Sequence, residues 1–236
     1  MRPAWVRRCH LRIMVSGLLA LALWLALPPA GRADDRTEAQ QVVERARLTL
    51  EAFREEQTFR DWKDTYGKVA GFLVYPSVVR GGFILGGAGG TGVLLTRDEA
   101  SGRWAGPVFY TLGGGSLGLL AGVQVAELLV LVSDDRGVRR LLTTGAKLGA
   151  DLSIVAGPTG AGLGAGNITA DLTVLSRAKG LYAGMSLDGS VVAVRDDLNG
   201  AYYGRPVSPA EILGGAVQNP HAEAIRRSAA ALAATR

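Results

Sequence analysis

Few side chains in this sequence are equipped for chemistry. Asp151, Asp171, Asp188, Asp196 and Asp197 fall on strands or turns by the pattern around them, and no two stand at a spacing diagnostic of a general acid–base pair. Aspartates in turns ordinarily accept backbone hydrogen bonds, which is a structural duty. Apart from His10 the only histidine is His221, so a Ser–His–Asp relay would have to run through a predicted surface helix near the C-terminus. The single cysteine is Cys9, so residues 34–236 hold no thiol for a nucleophile, a disulfide or a thiolate–metal site. Gly87-Ala88-Gly89-Gly90-Thr91-Gly92 fits GxGxxG behind the apolar Phe83-Ile84-Leu85. A dinucleotide site needs a helix to open directly after that motif, because the helix N-terminus holds the pyrophosphate. Here Val93-Leu94-Leu95-Thr96 is strand-like and runs into a turn at Asp98-Glu99. These glycines therefore read as structural, in bends where backbones approach closely. The composition points to no metal and no cofactor, and a carboxylate-based hydrolase is the least favoured function.

The N-terminus carries an address. Arg2, Arg7, Arg8 and Arg12 precede the uncharged, Leu/Ala-rich run Ile13–Leu27, then come Pro28-Pro29 and the small-residue site Gly31-Arg32-Ala33. This order is that of a secretory signal peptide, cleaved after residue 33, and its 15-residue apolar run is short for a membrane span. The alternative is an uncleaved N-terminal anchor. Cys9 precedes the apolar run, whereas a lipoprotein cysteine would follow it, so no lipid anchor is expected. Five of the 26 Lys and Arg residues lie in 1–33, which has no acid, so residues 34–236 carry 21 charges of each sign. A near-neutral exported chain loses the argument for nucleic-acid binding. Scarce Lys beside plentiful Arg and Ala suggests a GC-rich bacterial genome and hence a periplasm.

The elements that must position these residues are readable by period. Residues 37–57 form a predicted helix, with a capping box at Thr37 and Gln40 and a stripe of Val42, Val43, Ala46, Leu50 and Phe53. Leu48 lies off that stripe. A second short helix is predicted over 58–66, through Phe59 and Trp62, and the Tyr75-Pro76 step then breaks the helical pattern. From Gly81 to Val194 the period is two. Val108, Tyr110 and Leu112 alternate with Phe109 and Thr111. Ile168, Ala170, Leu172 and Val174 alternate with polar neighbours, as in a half-buried strand. Leu128–Val132 is a continuous apolar run, as in a strand buried on both sides. Asp188-Gly189 between two apolar segments predicts a hairpin turn. Short helices are predicted over Asp134–Leu142 and from the Ser208-Pro209-Ala210-Glu211 capping box, and a last helix from Asn219-Pro220 to about Ala233.

Trp104–Ala126 is 23 residues without a charge and contains Gly114, Gly118 and Gly122, the small-residue spacing of a membrane helix. Pro107, the triplet Gly113-Gly114-Gly115 and the alternation of Leu117, Leu119, Ala121, Val123 and Val125 favour soluble strands instead. Asn167-Ile168-Thr169 matches a glycosylation sequon, a triplet common by chance.

Several of these segments occur in a familiar order. Pro76-Ser77-Val78-Val79-Arg80-Gly81-Gly82-Phe83-Ile84, Gly92-Val93-Leu94 and Trp104-Ala105-Gly106-Pro107 resemble the opening of a SYLF domain. Gly113-Gly114-Gly115-Ser116-Leu117-Gly118, Ala156-Gly157-Pro158, Lys179-Gly180-Leu181-Tyr182-Ala183-Gly184 and Ala201-Tyr202-Tyr203-Gly204 continue that order, so the resemblance covers roughly residues 40–215. Leu120 departs from it, standing where the family usually has Gln. The resemblance implies lipid binding: eukaryotic relatives bind phosphoinositides, often through a basic amphipathic helix, and some bind actin filaments, while bacterial members are exported. Helix 37–57 is not basic, since Arg45, Arg47 and Arg54 face Glu38, Glu44, Glu51, Glu55 and Glu56.

The expectation is a single α+β domain over 34–236: an antiparallel, bent sheet or barrel-like sandwich of about eight or nine strands, covered by N-terminal and C-terminal helices. Its expected function is non-enzymatic binding of a lipid, a membrane surface or the cell envelope. The alternative is an interaction protein that docks another envelope protein through its sheet edge. Arg80 and Lys179 are the candidate headgroup cations, embedded in the family-like motifs. The stripe of helix 37–57 packs on the domain's own sheet or else enters a bilayer. In the second case Phe53 and Trp62 are the candidate lipid contacts.

Overall fold

The computed structural model describes residues 31–57, 62–82, 85–117, 122–143, 145–156, 170–179, 187 and 189–235. The expected leader lies outside them but for its last three residues, which open the first helix. The architecture is α+β, with an eight-stranded mixed sheet curled into a half-barrel.

Helix α1 spans Gly31–Glu55. It starts well before Thr37, which therefore lies inside it and is not its cap. The reason is local: Arg32, Ala33 and Arg36 favour helix, and Asp34 in the first turn complements the positive end of the helix dipole. Ala39, Val42, Val43, Ala46, Leu50 and Phe53 recur at helical spacing and are all buried, while Leu48, off the stripe, is exposed. Opposite the stripe, Arg47 bridges Glu44 and Glu51, each at 2.6 Å. Only the end of the expected second helix is described. Trp62 precedes a single turn, α2 (Lys63–Tyr66).

Eight strands follow: β1 Gly71–Gly82, β2 Leu85–Arg97, β3 Trp104–Leu117, β4 Gly122–Val132, β5 Ala146–Lys147, β6 Ile154–Ala156, β7 Leu172–Lys179 and β8 Val191–Val194. Their order is β5-β8-β3-β2-β1-β4-β7-β6. The sheet opens ten residues before Gly81, because Pro76 does not end the pattern. It sits in β1 where the register with both neighbours shifts, between Tyr75 and Val78. A bulge is where a strand tolerates a residue without an N–H. Pairing is antiparallel except for β6 beside β7, which is parallel. The charge-free stretch from Trp104 is strands β3 and β4, and no described helix is long and apolar enough to cross a membrane.

Alternation gives this sheet two apolar faces. Phe72, Val74, Val93, Leu95, Phe109, Leu129, Leu131 and Leu175 point to one side, where they meet α1 and the C-terminal helix α6 (Ala222–Ala233). Leu73, Tyr75, Leu94, Val108, Tyr110, Leu128 and Val130 point to the other. They pack there on α3 (Asp135–Leu141), on Leu148 and Leu152, and on α5 (Pro209–Leu213). Leu128–Val132 is accordingly buried throughout. Strand β7 begins at Leu172, and Thr173 is buried rather than outward: it lies on the helix-covered face, which its polarity alone does not reveal.

The glycine motif Gly87–Gly92 lies within β2, with no helix behind it. A Cβ at Gly92 would overlap the Val74 carbonyl oxygen and stand 2.5 Å from the Tyr75 ring, so close approach at the β1 bulge demands glycine there. Around the predicted hairpin, Gly189 has φ +79° and the Ser190 amide donates to the Leu187 carbonyl at 3.0 Å. Asp188 and residues 180–186 lie outside the described residues. Among the described strands, the neighbours of β8 are β3 and β5. The Ser208 cap forms as expected, with Ser208 Oγ accepting from the Glu211 amide and Glu211 accepting from the Ser208 amide. Helix α4 (Asp196–Tyr203) ends at Gly204, φ +77°. The Asn219-Pro220 turn precedes α6 by two residues.

Because Phe53 is 1% exposed, Phe53→Asp puts a carboxylate in the core and removes the ring. The expected cost is at least ~3 kcal/mol, read as a fall of several degrees in thermal midpoint.

Candidate functional site

The two ends of the sheet differ in chemistry. One end is charged and internally bonded. In the β2–β3 connection Asp98 accepts from the Ser101 amide at 2.7 Å, and Arg97 Nη1 donates to the Gly67 carbonyl at 2.9 Å. Past β4, Asp134 caps α3 by accepting from the Gly137 amide at 2.9 Å. At the other end β1 meets β2, β3 meets β4, β7 stops and β8 starts. The sequence there carries no charge from Gly81 to Thr96 or from Trp104 to Ala126.

The register defines a row across that end. Val191 pairs with Gly113, Gly113 with Gly89, Gly89 with Val79, Val79 with Val125 and Val125 with Lys179. Directly paired residues share a sheet face, and this face continues the one that α1 covers further along. Beyond α1 no described element covers this face, here called the bare face: Val79 is 47% exposed, Val125 45% and Val123, one row further out, 76%.

A belt of paired charges separates this bare end from the core. On one side Arg177 of β7 donates to Glu127 of β4 and, at 3.1 Å, to Glu56 just past α1. Its guanidinium lies 5.7 Å from the Phe53 ring centroid, within cation–π reach. On the other side Arg195 binds Asp197 through both carboxylate oxygens, reaches Thr91 Oγ1 at 3.4 Å and stands 3.9 Å from Glu38. The hydrogen bond to Asp197 comes first in raising the Arg195 pKa and in lowering that of Asp197, so both stay charged.

Of the predicted site residues, the structure places two at the uncharged end, one on each face of the sheet, and two in the core. Arg80 is in register with Gln124 and Lys179 with Val125, adjacent residues of β4, so the two positions fall at the uncharged end but on opposite faces of the sheet, Lys179 in the row of Val79 and Arg80 in the row of Ala88. Among the described residues Arg80 has no ion-pair or hydrogen-bond partner. Phe53 and Trp62 lie instead in the helix-side core. Trp62 is 6% exposed, and its Nε1 finds no hydrogen-bond partner among the described residues. Neither ring faces lipid in this arrangement, because the stripe of α1 is already covered by the sheet. Leu120 lies outside the described residues.

Two of the carboxylates considered for chemistry, Asp151 and Asp171, hold backbone. Asp171 accepts from Ser153 Oγ at 2.6 Å and the Ser153 amide at 2.9 Å, with Arg140 at 3.6 Å. Asp151 accepts from the Lys147 amide at 2.8 Å. Asp196 opens α4 and Asp197 pairs with Arg195. His221 is exposed at the head of α6. Among the described residues no group of His, Cys, Asp or Glu is placed to hold a metal ion. The sequence reading missed the valine row and the charge belt. Their only signal in one dimension is the pair of charge-free stretches, whose convergence needs the register.

Hydrogen bonding from the Ser153 side chain leads the lowering of the Asp171 pKa. A folded-state pKa below the unfolded one gives stability that is complete above the ordinary aspartate range and is lost as pH falls through the depressed value. The thermal-midpoint advantage of the wild type over Asp171→Asn should therefore be full at neutral pH and shrink progressively below that range.

The family model Ysc84, described as "Las17-binding protein actin regulator", matches residues 113–232. An SH3 domain-containing protein of Schizosaccharomyces pombe is 32% identical over 156 residues, covering 64% of this chain and 36% of that protein. Protein YSC84 of Saccharomyces cerevisiae is 31% identical over 157 residues, covering 64% and 33%. The bovine SH3 domain-containing YSC84-like protein 1 is 31% identical over 153 residues, covering 63% and 44%. The matches thus span only about a third to less than half of these relatives. No solved structure matches the chain.

Proposed function

This chain belongs to the SYLF family, whose family model is Ysc84, and we propose that it is an exported, non-catalytic module that binds a lipid or the cell envelope through the uncharged end of its sheet. The observation that carries the reading is that the positions of Arg80 and Lys179, one on each face of the sheet, both fall at that end. Cations beside an apolar surface fit an anionic headgroup above hydrocarbon, and each near-surface cation contributes about 1 kcal/mol to anionic membranes. Asp151, Asp171 and Asp197 support a role without catalysis, since each already holds a backbone amide or an arginine.

A second reading has its own support. Strand β6 lies at the edge of the sheet with Val155 half exposed, and the family description names Las17 binding. An edge strand with an apolar exposed residue suits a protein partner that adds a strand. A specific partner captured without lipid would favour this reading over the first.

Vesicles of phosphatidylglycerol and phosphatidylcholine distinguish them. Reversing both cations, Arg80→Glu with Lys179→Glu, should weaken co-sedimentation at least about tenfold while leaving the thermal midpoint unchanged. Unchanged binding removes both residues from the site. The export reading predicts a mature N-terminus at Asp34, seen by intact mass on protein recovered from its own host. A species retaining Met1–Ala33 would mean an anchor instead.

A further inference from the structure

We infer that the uncharged end of the sheet, rather than helix α1, enters the headgroup–hydrocarbon boundary of an anionic bilayer, strand ends first. The inference rests on the lipid-binding reading and says which part of the molecule is immersed and how far.

The first argument is the placement of glycine. On the side facing the second core, Gly90 and Gly114 are forced by packing: a Cβ at Gly90 would stand 2.5 Å from the Ser77 carbonyl oxygen, and one at Gly114 would collide with the Ser190 hydroxyl. On the bare face no such demand exists. A Cβ at Gly113 meets nothing within 4 Å, and at Gly87 and Gly115 the nearest atoms are 3.7 and 4.0 Å away. None of these three has positive φ. Glycine within a strand costs about 0.5–1 kcal/mol relative to alanine, so no packing among the described residues accounts for a side-chain-free face at these positions. A flat face of backbone and valine lets a second apolar phase lie close against it.

The second argument is hydrogen bonding. A sheet can leave water only if its backbone groups are paired. The ladders here run to the strand ends: Gly82 pairs with Gly86 and Gly122, and Leu85 with Leu117. Strands β1 and β2 are thus paired on both sides to their tips. Past Gly113 and before Val125, the outer sides of β3 and β4 have no paired strand among the described residues, so the doubly paired β1 and β2 lead into the bilayer and these outer edges stay at headgroup level, where water can bond them.

Charge sets the same depth. Val79 to Gly82 is about 10 Å of strand at ~3.3 Å per residue, comparable to the ~5–10 Å reached by interfacial elements. Directly behind that segment comes the belt of Arg177 with Glu127 and Glu56, and of Arg195 with Asp197 and Glu38. Its acids are already paired with arginine, which leaves Arg80, beside the tip, to complement anionic headgroups.

Gly113→Glu tests the idea without unfolding the protein, because the new side chain enters open space. Leu48→Glu, on the outer face of α1, is the control. With equimolar phosphatidylglycerol–phosphatidylcholine vesicles, Gly113→Glu should lose at least about tenfold in co-sedimentation at an unchanged thermal midpoint, and Leu48→Glu should bind as the wild type does. Val123→Trp should blue-shift on binding and be quenched by lipids brominated on their acyl chains. Vesicle binding without quenching, and insensitive to Gly113→Glu, overturns the inference while sparing the lipid reading. Failure of the wild type to bind overturns both. A dimer in sedimentation velocity that Gly113→Glu converts to monomer would assign the face to a second copy of the chain and likewise overturn it.

Discussion

Helix α1 lies on the sheet through one apolar stripe, and its two ends are fixed by charge. Glu38 reaches Arg195 beside β8, and Glu56 reaches Arg177 on β7. The helix therefore crosses the sheet from one flank to the other. This decides what the rest of the molecule can do. The face beneath the helix becomes core, with Phe53 and Leu50 in one cluster with Leu129 and Leu175, and Val79 and Val125 beyond it stay exposed. Exposed ion pairs contribute little singly, about 0–1 kcal/mol, so the stripe supplies the attachment and the charges supply its position.

The same strands meet two different demands along their length. Over the central rows both faces are buried, one under α1 and α6, the other under α3, α5 and the turn around Leu148. Tyr110 shows how tightly the second side is specified: its hydroxyl donates to the Leu141 carbonyl at 2.8 Å, and burial raises its pKa. Towards the uncharged end these covers stop and side chains shrink to valine and glycine. Glycine in these strands thus has two origins, steric necessity where backbone crowds it and exposure where nothing does.

What could be read in one dimension was whatever depends on near neighbours. The α1 stripe follows from helical spacing, the Ser208 cap from four residues, and the demotion of the GxGxxG motif from the strand-like residues behind it. The errors share one origin, distance along the chain. Pro76 looks like an ending, because the bulge that accommodates it is made with β2 and β4. Thr173 looks like an outward residue, because only the assembled layers show which face α1 covers. Arg177 and Glu56 are 121 positions apart. The register carrying Val191 to Lys179 passes through six strands and exists only once the sheet is formed. Arg80 and Lys179 stand 99 positions apart, and only the register shows that both fall at one end of the sheet, on opposite faces.

The helix layer is assembled from opposite ends of the chain. Strands β1, β2 and β3 are consecutive and pair as neighbours, a local arrangement that forms readily, whereas β4 returns to pair with β1. Helix α1 meets residues 222–233, where Ile225, Ala229 and Leu232 join its core and Ser228 Oγ donates to Glu51 at 3.0 Å. Until that last helix arrives, the stripe from Val42 to Phe53 has sheet on one side and water on the other. A nascent or clipped chain lacking its final turns would carry a partly bare apolar seam, the kind of surface on which chaperones and proteases act. The C-terminal helix is in that sense the latch of the domain, and the quality of its closure decides how long an unfinished chain survives.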